Sequence, residues 1–299
     1  MIESRRVAAM GAHATVTIVG GGSGVMDAVL RELERLEGLW SRFLPGSDLS
    51  RLNLADGAPV RVDPATVGLL HVMGQAIAET GGAFDPTLLP ALVDAGYAVS
   101  MVDPAHSTAL PPTAHAGGAF GDTIIDGFEV TLPAGLTVDA GGIGKGYAAD
   151  RLTSLARVRG ASGAMVEIAG DLVVFGEAPQ PGGWVIGIED PREPARHRTT
   201  VRLAEGAVAT SGTRKRRWMR DGAERHHLID PRTGASARDD IDAVTVIAGS
   251  GARAEALAKY AFVHPIGDTL AWLPTRNAAG FIVTADGAVH ATSTWEDFR

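Results

Sequence analysis

Cysteine is absent from all 299 residues. That excludes disulfides, thiolate nucleophiles and Cys-ligated zinc, so any metal must be held by oxygen or histidine. Positive charge is in deficit: 27 Lys and Arg stand against 35 Asp and Glu, for a net charge of -8 and a pI near 5.6. A nucleic-acid binder needs a basic surface to displace counterions, so the expected partner is a small molecule or a protein. No apolar run reaches the roughly 18 residues of a membrane span. Residues 1–24 also lack the apolar core of a secretory signal, which makes a cytoplasmic enzyme the expectation. What is present is ample core material, 45% hydrophobic residues with a mean hydropathy of +0.09. A chain of this length forms one large domain over 1–299, or two intimately packed α+β halves.

Three Asp-Gly pairs, Asp126-Gly127, Asp221-Gly222 and Asp286-Gly287, separate apolar or alternating runs. Asp and Gly tolerate the positive φ of type I′ turns, so each pair reads as a hairpin. Further strands are expected at 14–19, 164–168, 184–188 and 243–248, with a short one at 136–138. A 3.6-residue period through Met26, Val29, Leu33, Leu36 and Trp40 predicts an amphipathic helix over 25–39. Asp63-Pro64 and Gly81-Gly82 bracket a second helix between them. Two more should begin near Ile143 and Ala252. Residues 100–121, with Pro111-Pro112 and no period, read as a surface loop. Strands and helices segregate without βαβ alternation, which favours an α+β fold of mixed or antiparallel sheets with packed helices.

Three segments carry chemistry. In Val138-Asp139-Ala140-Gly141-Gly142-Ile143-Gly144-Lys145-Gly146, a strand runs into a glycine-rich turn and a helix opening. There, unpaired N–H groups, the helix dipole and Lys145 could hold an anion; close backbone packing is the alternative. In His227-Leu228-Ile229-Asp230-Pro231-Arg232-Thr233-Gly234, turn chemistry after a strand presents His227 to a loop, with His226 facing the other way. A structural histidine is the alternative. In Ala254-Glu255-Ala256-Leu257-Ala258-Lys259, helical spacing puts Glu255 one turn before Lys259, which on its own is a surface ion pair. The basic run Arg214-Lys215-Arg216-Arg217 reads as a solvated face or as a docking patch for an acidic segment.

Taken in order, these segments resemble the flavin transferase family, the FAD:protein FMN transferases also called the ApbE family. The resemblance extends to Ala9-Met10-Gly11, to Ser41-Arg42-Phe43 with Ser47-Asp48-Leu49-Ser50-Arg51-Leu52-Asn53, to Gly82-Ala83-Phe84-Asp85-Pro86-Thr87, to Thr210-Ser211-Gly212 and to Val244-Thr245-Val246. Ordered motifs along nearly the whole chain are very hard to obtain by chance.

The resemblance implies the T-fold-like architecture of that family. It also implies an activity in which the FAD pyrophosphate is cleaved, FMN passes to a Thr or Ser hydroxyl of an acceptor protein, AMP is released and Mg2+ assists. By motif position, Met10, Phe43, Ala83, Phe84, Asp85, Asp139, Lys145 and Ile229 resemble FAD-contacting residues, His227 and Asp139 catalytic ones, and Gly142 and Glu255 metal ligands. Here the chain departs from the pattern, since Glu255 replaces the family's Asp and Lys259 its Thr. Ala12 and Ala169 are smaller departures. Transfer of FMN, hydrolysis of FAD to FMN and AMP, and FAD binding without catalysis all use the same pocket.

Overall fold

The N-terminal hairpin shows how this chain builds its sheet. Ile2–Ala9 pairs antiparallel with Ala12–Gly20, and Ala9 lies opposite Ala12, so Met10-Gly11 is the whole loop. Both loop residues have positive φ, 50° and 72°, the turn sense that matches strand twist. The device recurs at Ala169-Gly170, with φ of 57° and 94°, between Ala161–Ile168 and Asp171–Gly176. Gly206–Gly212, Ile241–Ala248, Ala279–Thr284 and Val289–Ala291 complete an eight-stranded sheet whose strands lie in chain order and pair antiparallel throughout.

A computed structural model describes residues 1–220 and 222–299. The chain divides into two compact units. The first comprises Met1–Leu33, Lys145–Lys215 and Arg238–Arg299 and holds the large sheet. A two-stranded layer, Trp184–Glu189 with His197–Leu203, buries Trp184, Ile186, Ile188, Val201 and Leu203 in one core with Val174, Val208, Ile247 and Phe281. Each such side chain contributes about 1.5–3 kcal/mol on burial. The helix Gly251–Val263 packs on the strands Gly206–Gly212 and Ile241–Ala248. It meets the helix Gly144–Val158 backbone to backbone, because a Cβ on Gly146 would lie 2.3 Å from the Gly251 carbonyl. Only glycine allows that approach.

The second unit comprises Glu34–Gly144 and Arg216–Ala237. It holds the helices Asp48–Leu54, Pro64–Thr80 and Leu89–Asp94, a small sheet of Val60–Arg61, Ile124–Asp126 and Glu129–Thr131, and the hairpin Arg217–Arg220 with Ala223–His226. Pro64–Thr80 has the expected bounds, since the Asp63 carboxylate accepts the Ala65 N–H at 2.8 Å and Gly81 closes the helix at φ 60°. The helix Val25–Trp40 starts in the first unit and ends in the second.

Several expectations need correction. Residues 136–138 form no strand; the Asn53 side chain takes their pairing role, donating to the Val138 carbonyl at 2.9 Å and accepting its N–H at 2.7 Å. In the hairpin near Asp126 the loop is Gly127-Phe128, because Asp126 still pairs with Glu129. Asp221 lies outside the described residues, although its neighbour Gly222 has the positive φ expected of the turn, 74°. The strand Ile2–Ala9 escaped the apolar-pattern reading because it is an edge strand whose Glu3, Arg5 and Arg6 face solvent, which suits a sheet edge. Residues 100–121 are irregular and largely exposed apart from a turn of 3-10 helix at Phe120–Asp122. Among the described residues, no helix is long and apolar enough to cross a membrane.

Candidate functional site

In the sheet unit, the site residues gather where the two helices meet. Gly144–Val158 opens at the glycine-rich turn and carries Lys145 in its first turn. The Lys145 ammonium donates to the Asp171 carboxylate and, at 2.8 Å, to Glu255 Oε1. The other oxygens are also engaged: Glu255 Oε2 accepts the Gly146 N–H at 2.9 Å, and Asp171 Oδ1 accepts the Thr210 N–H at 3.0 Å. Asp171 and Glu255 are 3% and 2% exposed, so both carboxylates are desolvated and fully hydrogen-bonded. Burial works against the Lys145 charge, but Asp171 and Glu255 outweigh it and hold the ammonium above the ordinary lysine range. The turn Ala169-Gly170 delivers Asp171, and the antiparallel partner Gly206–Gly212 delivers Thr210. At this helix opening the Gly146 N–H is taken by the Glu255 carboxylate.

Glu255 and Lys259 do not form the side-chain pair that their spacing suggests. Lys259 Nζ donates to the backbone carbonyl of Glu255 at 3.0 Å, while the Glu255 carboxylate turns inward to Lys145. Next to them, Asp150 accepts the N–H groups of Gly251 at 2.7 Å and Ala252 at 3.0 Å, at the opening of the second helix. Burial pushes its carboxyl up, the two N–H groups pull it down, and Glu255 raises it again, to about 6. Met10 stands at the tip of the first hairpin in a positive-φ conformation that is uncommon for a residue with a side chain and is often associated with function.

In the other unit, Arg42 is the organising residue. It is 6% exposed, donates to Thr108 Oγ1 at 2.6 Å and to the Tyr97 carbonyl at 3.0 Å, and lies over the rings of Phe43 and Tyr97, 4.2 Å and 4.8 Å from their centroids. Its Nε is 3.6 Å from Asp139 Oδ1, and the Asp139 side chain is 20% exposed. The Asp139 N–H bonds the Pro86 carbonyl at 2.9 Å, which sets Asp139 beside the segment from Ala83 to Thr87. There Asp85 accepts the Thr87 N–H and hydroxyl at 2.8 Å and 2.6 Å, whereas Ala83 and Phe84 are buried in the core. Arg42, Phe43, Asp85 and Asp139 are therefore brought together. Sequence reasoning missed Tyr97, Thr108 and Trp218, whose indole donates to the Ala95 carbonyl at 2.7 Å and whose ring lies 5.7 Å from that of Tyr97. No motif marked them.

His227 follows directly on the strand Ala223–His226 and is half-buried, whereas His226 is buried and its Nε2 lies 3.1 Å from the Ala237 carbonyl. Ile229 forms an isolated bridge with Ser236. Gly142 lies in the turn before the helix Gly144–Val158. In the basic run, Arg214 bonds Asp242 at 3.2 Å, Lys215 bonds Glu189 at 2.7 Å and Arg217 bonds Glu224 at 2.7 Å, the pattern of a solvated face.

Magnesium takes octahedral oxygen ligands at short distance, and the residues around Glu255 do not suit it. Both Glu255 oxygens accept N–H groups, and the residue one turn on is a lysine, which offers no lone pair while charged. Among the described residues, no cluster of three or more His, Asp or Glu side chains could hold a metal.

The fold and sequence are shared with known proteins. The family model described as "ApbE family" matches residues 10–282. The FAD:protein FMN transferase of Treponema pallidum is 31% identical over 266 residues, covering 80% of this chain and 70% of that protein. The crystal structure of the ApbE protein of Thermotoga maritima superposes with a TM-score of 0.87 at 28% identity, covering 100% of this chain and 99% of that one. The apo form of the flavinyl transferase ApbE of Pseudomonas stutzeri gives 0.81 at 27% identity, covering 99% and 96%.

Proposed function

Since the chain belongs to the ApbE family, we propose that it is an FAD:protein FMN transferase, moving FMN from FAD to a Thr or Ser hydroxyl of an acceptor protein. The observation that carries this reading is the span of the match: residues 10–282 include every candidate site residue from Met10 to Glu255.

In the reaction, the acceptor hydroxyl oxygen bonds to the phosphorus on the FMN side of the pyrophosphate. The bond from that phosphorus to the bridging oxygen breaks, and AMP leaves with the oxygen. Such a transfer depends on positioning and charge stabilisation more than on covalent chemistry by the protein. Asp139 is assigned the hydroxyl proton, because it is partly exposed and its position is fixed by Pro86 and Arg42. The Arg42 guanidinium, spread over two aromatic rings, supplies fixed positive charge beside it. His227 is assigned as the second proton-carrying group, the side chain that most often fills that role in general acid–base catalysis. Phe43 and Asp85 are assigned FAD contacts from their place beside Asp139. Met10, Ala83, Phe84, Lys145 and Ile229 are assigned them on the family match alone.

Incubation with FAD, with and without an acceptor protein, tests the reading. Protein-bound flavin fluorescence on the acceptor supports it. Soluble FMN with AMP would indicate a pyrophosphatase, and unchanged FAD a binding protein.

A further inference from the structure

We infer that the Lys145 ammonium, held between the buried carboxylates of Asp171 and Glu255, is the resident cation of this centre, and that Glu255 ligates no divalent metal in this chain. The inference rests on the proposed function, for which the family resemblance places a metal ligand at Glu255.

Four carboxylate oxygens are available and all four accept N–H groups. Asp171 uses Lys145 and Thr210 N; Glu255 uses Lys145 and Gly146 N. An ammonium can do this because its three donors point to separate acceptors and need no octahedral shell. A divalent ion at Glu255 would have to displace a charge-assisted bond and lie against the ammonium, which repels it.

Lys145 answers both carboxylates, and a second ammonium stands close by, with Lys259 Nζ 3.0 Å from the Glu255 carbonyl. The third carboxylate nearby, Asp150, is taken up by the N–H groups of Gly251 and Ala252. The helix geometry reinforces this arrangement. Gly146 and Gly251 let the two helices touch, and the Glu255 side chain reaches the Gly146 N–H at 2.9 Å. The Glu-for-Asp and Lys-for-Thr departures thus act together: one extends the carboxylate to the ammonium, and the other replaces an oxygen donor with a second positive charge.

Mn2+, followed by the electron-paramagnetic signal of the unbound ion, is the probe. It is titrated into the full chain and into Glu255→Gln, with and without FAD. The expected result is no stoichiometric uptake that depends on Glu255, and FAD affinity unchanged by EDTA. The double variant Glu255→Asp with Lys259→Thr, which withdraws the carboxylate from Lys145 and restores an oxygen, should bind Mn2+ at least about tenfold more tightly than the parent. Uptake of one Mn2+ by the parent that Glu255→Gln abolishes would overturn the inference. Uptake that Glu255→Gln leaves intact places the ion elsewhere and supports it. The Mn2+ arms without FAD do not depend on flavin binding, so a chain that fails to bind FAD counts against the proposed function and leaves this inference standing.

Discussion

Two buried cations, one in each unit of the chain, are handled in opposite ways. Lys145 is enclosed by two carboxylates whose every oxygen is already bonded. Arg42 is the more deeply buried, its side chain 4% exposed against 17% for Lys145, yet its carboxylate neighbour Asp139 is 3.6 Å away and 20% exposed, while its other contacts are a hydroxyl, a carbonyl and two ring faces. In the first arrangement the carboxylate oxygens are all engaged within the protein and leave no acceptor for a reacting group. The second has acceptor capacity left at Asp139, which is what a reacting group needs. The proximity of a cation and a carboxylate does not by itself identify a catalytic pair; the number of unsatisfied lone pairs does more.

The largest effect on stability is expected at Lys145. Lys145→Ala leaves two desolvated carboxylates facing each other and should destabilise the protein by about 3–5 kcal/mol, read by urea denaturation. A loss below about 1 kcal/mol would mean that the cluster is solvated and not the closed structure described here.

Asp150 comes next. Its folded carboxyl titrates at about 6 against the ordinary aspartate value of 3.8, so between these values the folded state holds more protons than the unfolded one. Stability from this group is therefore greatest at acid pH and falls as pH rises from about 4 to 6, by about 3 kcal/mol at 1.36 kcal/mol per unit. Asp150→Asn should remove that segment of the stability profile. The difference between the two profiles isolates it from the carboxylates elsewhere in the chain.

A smaller effect is expected at Ala169, whose φ of 57° strains a residue with a Cβ. Ala169→Gly should raise stability by about 0.5–1 kcal/mol, seen as a higher melting temperature, and it should not disturb Asp171. The smallest effect on stability belongs to Asp139→Asn, within about 0.5 kcal/mol because the pair with Arg42 is long and partly solvated. The same variant should lower transfer about 100-fold or more if Asp139 takes the proton.

Much of this was legible in the sequence wherever the cause was local. Asp63-Pro64 and Gly81 define a helix within their own neighbourhood, and the residues to either side of Asp286-Gly287 form the expected hairpin, with Val283 opposite Val289. The order of motifs indicated the family. What failed depended on distant partners. Residues 136–138 look like a strand, but the group that satisfies them is a side chain 85 positions away. Glu255 and Lys259 have the spacing of a surface pair, yet Glu255 answers to Lys145, 110 positions back. Neither Tyr97 nor Thr108 carries a local signal, and both become visible only because Arg42 is folded against them. Spacing along a helix tells which residues share a face, not which way the longer side chain turns.

Mass spectrometry of an acceptor protein after incubation with FAD and this chain reads transfer of FMN directly. The account predicts an adduct of FMN on one Thr or Ser of the acceptor, an equal amount of AMP in solution, and loss of both in Asp139→Asn. FMN released to solution with the acceptor unmodified would contradict it.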